Sequence, residues 1–486
     1  MVTSNEPKDD ERARRTLRLV LVAALLHGLA YLILLPPWMG EDEPWHVEYA
    51  HYVGLGYLPF GGEEISAENL ETLSASQVQV LRELGGVEED DIRATQGALL
   101  DSMREHHFWE RVDWAASGSG AESFDQLSPY LTATHQPPLY YLLTGQVLRL
   151  FGGGDVLREM WLLRGLSLLF YLAVVRAAWE VGRRLSEDTT LALGCALVAA
   201  WWPMHARQAA VVNNDVLVKV FTAWSLVVAL DIARQGLSRA RLGWAMLLAA
   251  LGLLSKTTGA GALVPLGLAL LWRIGGARLR ARSSAALAQE AADSDAAAPA
   301  GLARRRALLT VGLLALAALV PLGYYLSNNP AIPLTLGNFQ ERLHRAVQPE
   351  FWAEFGRTAV GAFNWYSRDL PPLAHAAIGY ALALCGVGLA WALARRSDLR
   401  RGLLLLCVAA VVGQLALVLL RGTAAGRYVM PQLVAFAALV AAGALAPLPE
   451  RWRPRALVAL AFALLLFDVA FLWSGLVWNQ YGVWGS

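Results

Sequence analysis

Long apolar runs recur along the whole chain and constrain its fold more than any other feature. They are roughly 17–24 residues long, and each can cross the ~30 Å hydrocarbon core of a bilayer as an α-helix. A helix satisfies its own backbone hydrogen bonds in lipid, and the runs do not alternate as the strands of a membrane barrel would. With 56% hydrophobic and 17% charged residues, the sequence predicts a polytopic all-α membrane protein.

The apolar runs predict about eleven transmembrane helices. By residue number we place them at 17–36, 160–181, 189–205, 213–233, 241–256, 258–274, 306–327, 373–394, 401–420, 427–447 and 455–478. The links at 12–18, 183–184, 234–241, 273–306, 395–401 and 451–455 are rich in arginine and almost free of acids. The positive-inside rule therefore predicts that these links and the N-terminus are cytoplasmic, and that the C-terminus lies outside.

One further helical segment, residues 137–151, does not fit this count. It is short for a membrane span and contains Arg149, and counting it as a span would place Arg183 and Arg184 outside. We expect an interfacial or re-entrant helix on the outer face.

The chain is expected to form one transmembrane domain over residues 1–486, with three notable connections. Residues 38–135 would form a first extracytoplasmic loop, which carries nearly half of the 40 acidic residues. Residues 275–307 are rich in alanine, serine and arginine and predict a flexible cytoplasmic loop. Residues 328–372 would form a second extracytoplasmic loop.

An acidic cluster follows the first apolar run, in the segment GEDEPWH at residues 40–46. Adjacent carboxylates repel one another unless a cation or a substrate offsets them. They could hold a divalent metal, Mg²⁺ or Mn²⁺, against a phosphate leaving group, or deprotonate an acceptor hydroxyl. Asp42 and Glu43 are the catalytic candidates, with His46 beside them, although the choice among Glu41, Asp42 and Glu43 stays open. The alternative is a solvated acidic loop.

A second candidate segment is HQPPLYY at residues 135–141, where two prolines fix the start of a helix. His135 is predicted to face the same cavity as Asp42. The alternative is a helix start with an incidental histidine.

Asp215 and Lys219 lie one helical turn apart near the outer membrane boundary. Ionisable groups at that depth are costly and need partners. Asp215 is therefore a candidate second acid, able to share a metal with Asp42, and Lys219 a candidate substrate clamp. A structural Asp–Lys pair is the alternative.

Three basic residues, Arg207, Lys256 and Arg427, fall at predicted outer ends of apolar runs. Each alone would be interpreted as a side chain that reaches from the membrane to water. On the same face as the acidic cluster, the three together predict a phosphate site. Tyr428 follows Arg427, and Trp365 lies in an aromatic outer segment suited to sugar stacking or to anchoring at the interface. Asp468, in the middle of the last run, is interpreted as a buried hydrogen-bonded acid away from this site.

Taken together, these segments resemble the GT-C superfamily of membrane glycosyltransferases, such as protein O-mannosyltransferases and the aminoarabinose transferases of lipid A. The resemblance rests on Asp42-Glu43, on His135 with Pro137 and Pro138, on Arg207 with Asp215, on Lys256 with Gly259, and on Arg427-Tyr428 with Pro431. It covers most of the chain in order and spacing and is closest to a bacterial branch.

The resemblance implies an inverting enzyme that takes sugar from a polyprenyl-phosphate donor on the extracytoplasmic face of a bacterial inner membrane. Asp42 would be the base or a metal ligand, Asp215 a second acid, and Lys256 and Arg427 phosphate clamps. The expected partners are this donor and membrane lipids, with no nucleic acid. The acceptor would be a lipid, a glycan or a protein, although the MIR insert and the Trp-Trp-Asp-Tyr-Gly motif of enzymes that modify proteins are absent.

Two other classes of function use the same residues. A transporter or flippase of lipid-linked sugars would predict an internal repeat with broken helices, and the sequence contains no such repeat. The chain also lacks a phosphate-binding loop of the Gly-x-x-x-x-Gly-Lys-Ser/Thr type, which argues against an ATP-driven pump. A non-catalytic binder of lipid-linked sugars is the second alternative.

Overall fold

In a computed structural model, the described part of the chain is helical apart from one short β-ladder and the connecting turns. The structure describes residues 6–57, 89–111, 133, 136–186, 188–273, 336–363, 368–369, 372–395, 398–421 and 424–471. The ladder pairs Ala362–Phe363 with Arg368–Asp369 in antiparallel register. The prediction of an all-α fold is thus confirmed at the level of fold class.

The predicted spans at 160–181, 189–205, 213–233 and 241–256 begin close to observed helix starts, whereas the first helix begins at Glu6, well before the predicted residue 17. The helices of the first half are α1 Glu6–Leu34, α2 Glu43–Leu55, α3 Glu89–Glu105, α4 Phe108–Arg111, α5 Leu139–Phe151, α6 Val156–Leu185, α7 Thr189–Trp201, α8 Pro203–Ala209, α9 Asp215–Gln235 and α10 Arg239–Ser255. Side-chain caps set several of these starts. Asp155 accepts hydrogen bonds from the first N–H groups of α6, and Asp188 does the same for α7.

The second half continues the helical pattern with two 3₁₀ segments that carry buried residues. The elements are a 3₁₀ helix Thr257–Ala262, α11 over 263–273, α12 Leu336–Ala346, α13 Pro349–Val360, α14 Pro372–Arg395, α15 Asp398–Arg421, a 3₁₀ helix Gly426–Gln432, α16 Leu433–Leu445, a 3₁₀ helix Glu450–Trp452 and α17 Arg453–Phe471. Pro431 lies in the second 3₁₀ helix, where its missing N–H prevents a regular α-helical start.

Six stretches among the described residues are long and apolar enough to cross a membrane. They are Glu11–Leu34, Val156–Leu185, Asp215–Gln235, Pro372–Arg395, Leu399–Leu420 and Gly426–Leu445. The count of eleven spans stays a prediction. The span expected at 306–327, the loop at 275–307 and much of the loops at 38–135 and 328–372 lie outside the described residues.

Three predicted spans differ in local structure from the observed helices. The run at 189–205 is interrupted, because α7 ends at Trp201 and Pro203 begins the separate helix α8. A proline disfavours helical geometry at the residue before it, and Trp202 is extended. The runs predicted at 258–274 and 427–447 start as 3₁₀ helices rather than α-helices. Residues 137–151 are helical from Leu139, as expected.

The basic ends of several helices meet at one end of the bundle. Arg184 at the end of α6 binds Asp231 near the end of α9, with 2.9 Å between Nε and Oδ1. Arg453 at the start of α17 lies 3.7 Å from Asp188, the residue before α7. The clustering of arginine at this end matches the charge pattern of the sequence.

The end of α1 and the starts of α2 and α9 lie together at the opposite end of the bundle. Arg164 on α6 donates hydrogen bonds to the backbone oxygens of Leu35 and Pro36. Asn214, just before α9, donates to the oxygen of Ser255 at the end of α10. These contacts bring the acidic cluster, Asp215 and Lys256 to the same end.

Asp468 lies between these two ends and is buried, as expected. Its Oδ2 is 2.7 Å from Nε2 of His27, and its Oδ1 accepts a hydrogen bond of 2.7 Å from Tyr31. This contact joins α17 to α1. The prediction of a buried, hydrogen-bonded acid is confirmed.

Candidate functional site

Three consecutive carboxylates after α1 meet three arginines from distant parts of the chain. The pairs are Glu41 with Arg207, Asp42 with Arg427 and Glu43 with Arg164. Each arginine comes from a different segment, so the repulsion within the triplet is offset by three separate partners. The three acids, equivalent in the sequence, therefore have different environments in the structure.

Glu43 and Arg164 form a fully buried, bidentate ion pair. Nε of Arg164 is 2.8 Å from Oε1 of Glu43, and Nη2 is 2.7 Å from Oε2. The remaining donors of Arg164 bind the oxygens of Leu35 and Pro36 at 2.7 and 2.9 Å. Both side chains are wholly inaccessible. A buried ion pair with its hydrogen bonds satisfied is costly to break. The Glu43–Arg164 pair therefore holds the end of α1 against α6.

The carboxylate of Glu43 also binds backbone groups. The N–H of Val212 donates to Oε1 over 3.0 Å and that of Gly40 to Oε2 over 3.2 Å. Glu43 thus organises the turn that carries Asp42 and ties it to the segment before α9. The sequence reasoning missed Arg164, although an arginine within a long apolar helix is itself a signal of a buried partner.

Asp42 is the most accessible acid of the triplet. Its side chain retains 35% of its accessible surface, against 4% for Glu41 and none for Glu43. Its backbone is left-handed, with φ 60° and ψ 6°, a conformation that aspartate tolerates better than most residues. Such backbone strain is a recurrent feature of functional sites.

The charges around Asp42 favour its ionised form. Burial raises the pKa of this carboxyl, but the cations Arg427 and Lys256 help to lower it by more, so the pKa lies below its ordinary value. Nη2 of Arg427 is 2.9 Å from Oδ2 of Asp42. Asp42 is therefore an ionised carboxylate with a basic partner and an accessible face.

Asp215 pairs with Lys256 rather than with Lys219. Nζ of Lys256 lies 2.7 Å from Oδ1 of Asp215, and both side chains are almost fully buried. Nζ of Lys219 instead lies 2.8 Å from Nδ1 of His205 and 2.7 Å from Oε1 of Gln208. The ion pair of Asp215 is therefore made with Lys256, and the roles of Asp215 and Lys219, catalytic or structural, stay predictions.

Tyr428 lies beside two of these ion pairs, Asp42–Arg427 and Asp215–Lys256. The ring centroid of Tyr428 is 5.4 Å from Nζ of Lys256 and 5.3 Å from Cζ of Arg427, within the range of cation–π contact. Asp42, Asp215 and their two cations therefore surround one aromatic side chain. We call these five residues the Asp42 cluster.

His46 lies next to this cluster and is buried. Its Nδ1 is 2.7 Å from the hydroxyl of Tyr141, on which its ring stacks. Burial lowers the pKa of His46 to about 3, and the nearby charges of Asp42 and Lys256 act on it in opposite directions. His46 is therefore neutral at physiological pH. It lies beside the cluster and is held there by its hydrogen bond with Tyr141.

Arg207 is wholly buried, and only some of its hydrogen-bond donors have a partner. Nη2 binds Glu41, whereas Nε and Nη1 have no hydrogen-bond partner among the described residues. An unpaired buried donor is costly. Arg207 thus keeps two donors without a partner among the described residues, and each of the three cations predicted to form a phosphate site has a carboxylate partner.

Two of the predicted site residues, His135 and Trp365, lie outside the described residues. Their roles stay predictions. Gln136 accepts a hydrogen bond of 3.3 Å from Nδ2 of Asn214, so the start of the segment that leads into α5 lies beside the neighbour of Asp215.

The predicted divalent metal finds no complete ligand set in the described part of the chain, where no three His, Cys, Asp or Glu side chains are grouped for it. Asp42 and Asp215 each already face a basic side chain, and these cations compete with a metal for the carboxylate oxygens. The donor set therefore does not fit a metal held by protein ligands alone.

Comparison with known proteins places the chain in a family. No curated protein and no solved structure matches it. A family model described as "Predicted membrane protein (DUF2142)" matches residues 25–435. This range covers most of the chain and includes Arg164, Arg207 and the Asp42 cluster. The chain therefore belongs to the DUF2142 family of predicted membrane proteins.

Proposed function

We propose that this protein is a glycosyltransferase that moves a sugar from a polyprenyl-phosphate donor to a lipid, glycan or protein acceptor. The observation that carries the proposal is the Asp42 cluster, in which two carboxylates and two cations from four distant segments meet at Tyr428. Such a cluster combines an ionised base with groups that bind phosphate.

Asp42 is the base in this proposal. Its carboxylate takes the proton of an acceptor hydroxyl while the acceptor oxygen attacks the anomeric carbon of the donor sugar. The bond between that carbon and the phosphate oxygen breaks, and polyprenyl phosphate leaves with the electron pair. Attack from the side opposite the phosphate inverts the configuration at the anomeric carbon. Asp42 is favoured over Glu43 because Glu43 is inaccessible and fully hydrogen-bonded.

Arg427 and Lys256 hold the phosphate of the donor. In the free protein, each is paired with a carboxylate, so the phosphate competes with Asp42 and Asp215 for them. As Arg427 turns toward the phosphate, Asp42 loses a hydrogen bond and becomes a stronger base. The two free donors of Arg207 offer a further contact for an anion.

The site acts on the extracytoplasmic face of a bacterial inner membrane. The Asp42 cluster lies at the end of the bundle opposite the arginine-rich helix ends, which contain Arg184 and Arg453. The positive-inside rule assigns those basic ends to the cytoplasm. A donor and an acceptor on the outer face would then reach Asp42 without crossing the membrane.

The proposal is tested by comparing wild-type protein with Asp42→Asn in proteoliposomes. The donors are radiolabelled polyprenyl-phosphate mannose, glucose and aminoarabinose, and native bacterial membranes supply the acceptors. We expect at least a 100-fold loss of sugar transfer in Asp42→Asn, with unchanged membrane insertion. Asp101→Asn is the matched control, since Asp101 is an exposed acid in the same loop; full activity of Asp42→Asn would exclude the assigned base.

A metal requirement is a separate part of this proposal and is checked in the same assay. If Mg²⁺ or Mn²⁺ takes part through Asp42 and Asp215, then EDTA abolishes transfer and either ion restores it. Unchanged transfer in EDTA would show that the two basic side chains neutralise the leaving phosphate without a metal.

The alternatives, a flippase or a non-catalytic binder of lipid-linked sugars, predict different results. A flippase moves labelled donor across the vesicle membrane without forming polyprenyl phosphate. A binder retains the donor on the purified protein and forms no product. Either result in place of sugar transfer would overturn the enzyme proposal while leaving the Asp42 cluster as a binding site.

A further inference from the structure

The side chains of His46 and Tyr141 form a pair beside the Asp42 cluster that the proposed mechanism does not use. Nδ1 of His46 lies 2.7 Å from the hydroxyl of Tyr141, and the two rings stack with 5.9 Å between their centroids. Both residues are buried, with 3% and 0% of their surface exposed. The direction of the hydrogen bond between them decides which nitrogen of His46 carries a proton.

The packing of α2 on α5 fixes the position of Tyr141. The ring of Tyr141 stacks on that of Tyr49, with 3.9 Å between the centroids and 29° between the planes. The two helices approach closely one turn further on, since a side chain on Gly145 would collide with Val53. The hydroxyl of Tyr141 is therefore held in place on α5 relative to the histidine on α2.

The hydroxyl of Tyr141 donates its proton to His46. Burial raises the pKa of this hydroxyl, so it stays protonated. Nδ1 of His46 is its one hydrogen-bond partner in the described part of the chain. If Nδ1 donated instead, the O–H of Tyr141 would be buried without an acceptor, which is costly in a protein interior.

A hydrogen bond into Nδ1 leaves the ring proton of His46 on Nε2. Burial lowers the pKa of His46 to about 3, so the ring carries a single proton at neutral pH. Nε2 has no hydrogen-bond partner among the described residues. His46 therefore presents an uncharged N–H donor that these contacts leave open to a ligand.

His46 lies in the same turn of the chain as Asp42. Its backbone N–H donates a hydrogen bond of 3.0 Å to the backbone oxygen of Asp42. The charges of Asp42, Lys256, Asp215 and Arg427 all act on the ring of His46. The ring is thus within electrostatic reach of both ion pairs, and a ligand at the Asp42 cluster lies beside it.

We propose that Tyr141 is a positioning residue that fixes His46 with its proton on Nε2, and that this N–H binds a hydroxyl oxygen of the donor sugar. The inference rests on the proposed function. An uncharged donor suits an uncharged hydroxyl, whereas the anionic phosphate is bound more strongly by the two cations of the cluster. In the proposed displacement, the sugar lies between Asp42 and the leaving phosphate, so its hydroxyls meet a group beside Asp42.

The first part of the test needs no activity. Solid-state NMR of the full chain in lipid bilayers, with isotopically labelled histidine nitrogens, shows which ring nitrogen carries a proton; the signal of His46 is the one that His46→Gln removes. We expect a proton on Nε2 alone in the wild type and in Tyr380→Phe, which removes an exposed hydroxyl on α14. In Tyr141→Phe, a form with the proton on Nδ1 should appear. A wild-type proton on Nδ1, or no such form in Tyr141→Phe, would overturn the positioning role.

The second part compares binding of two lipids to the purified protein. One is polyprenyl phosphate without sugar, and the other is the polyprenyl-phosphate mannose, glucose or aminoarabinose that the wild type binds most tightly. Loss of one uncharged hydrogen bond weakens binding about fivefold. We expect this loss in His46→Phe for the sugar-bearing lipid alone, and a smaller one in Tyr141→Phe. His46→Gln keeps an uncharged N–H donor and should bind more tightly than His46→Phe.

The sugar-free lipid also reports whether each variant is folded. Equal losses for the two lipids, undiminished binding of the sugar-bearing lipid in His46→Phe, or no binding of any of the three sugar-bearing lipids to the wild type would overturn the sugar contact. Failure of the proposed function has a different signature. In that case the sugar-bearing lipid binds with the predicted dependence on His46, but no polyprenyl phosphate is formed.

Discussion

Arg427 donates a hydrogen bond of 2.9 Å from Nη2 to Oδ2 of Asp42, although 385 positions separate the two residues in the chain. This contact joins the first turn after α1 to the 3₁₀ helix before α16. It places a guanidinium next to the one acid of the triplet that keeps an accessible face. The proposed base and the proposed phosphate clamp are thus coupled in the free protein.

This coupling predicts a shift in the pH dependence of sugar transfer. Asp42 acts as a base only when it is ionised, so activity is lost as the pH falls through its pKa. Arg427 helps to hold that pKa below its ordinary value. We expect Arg427→Gln to raise the pKa of Asp42, so that the acidic limb of kcat/KM moves to higher pH. Arg400→Gln, at the basic end of the bundle, is the control; an identical acidic limb in Arg427→Gln would contradict the coupling.

The buried pair of Glu43 and Arg164 predicts a large stability effect. Arg164→Gln leaves the Glu43 carboxylate buried without its charged partner, which costs about 3–5 kcal/mol in comparable cases. We expect a clear fall in the thermal unfolding midpoint of the detergent-purified protein.

The matched control for this variant is Arg104→Gln. Arg104 pairs with Asp101 on the surface of α3, where both side chains are mostly exposed, and such pairs contribute about 0–1 kcal/mol. Similar unfolding midpoints for the two variants would show that the Glu43–Arg164 pair does not anchor the turn.

The lowered pKa of His46 predicts that the folded protein loses stability in acid. Its pKa is lowered to about 3 in the folded protein, whereas an exposed histidine has a pKa of about 6.5. Between these values the unfolded chain binds a proton that the folded chain does not, so stability falls as the pH drops below about 6.5. His46→Asn removes this contribution. We expect its unfolding midpoint to fall less between pH 7 and pH 4.5 than that of the wild type; parallel pH curves would contradict the buried, neutral histidine.

The packing of α14 on α16 depends on Gly388. A side chain at this position would collide with the backbone oxygen of Gly443 on α16. Small residues permit such close approach of helices in membranes. We expect Gly388→Leu to reduce the amount of folded protein recovered by size-exclusion chromatography. Gly379→Leu on the same helix meets no atom within 4 Å and should behave as wild type, so equal losses for the two variants would show that the collision is not responsible.

The helical fold class and several helix boundaries could be predicted from local sequence. Hydropathy is a property of consecutive residues, and a run of about 20 apolar residues has few structures open to it in lipid. The caps at Asp155 and Asp188 act on N–H groups two or three residues away. The interruption between α7 and α8 was less visible, because a single proline in an apolar run changes the average hydropathy very little.

Some of the residues that form the candidate site could be predicted from the sequence. The sequence pointed to Asp42, Asp215, Lys256 and Arg427 because charged groups at the ends of apolar helices are costly and need partners. It predicted that they lie on one side of the protein, and the structure brings them together around Tyr428. It did not indicate which cation pairs with which carboxylate.

Only the tertiary structure distinguished the three acids at positions 41–43. In the sequence they are neighbours with the same charge, and nothing local separates them. Their partners come from 166, 385 and 121 positions away, respectively, so each environment depends on which helices pack together. The sequence by itself determined a chain of membrane helices with an acidic turn after the first. The packing of those helices buried Glu41 and Glu43 and left Asp42 accessible beside Arg427, because burial and long-range ion pairing are properties of the folded chain alone.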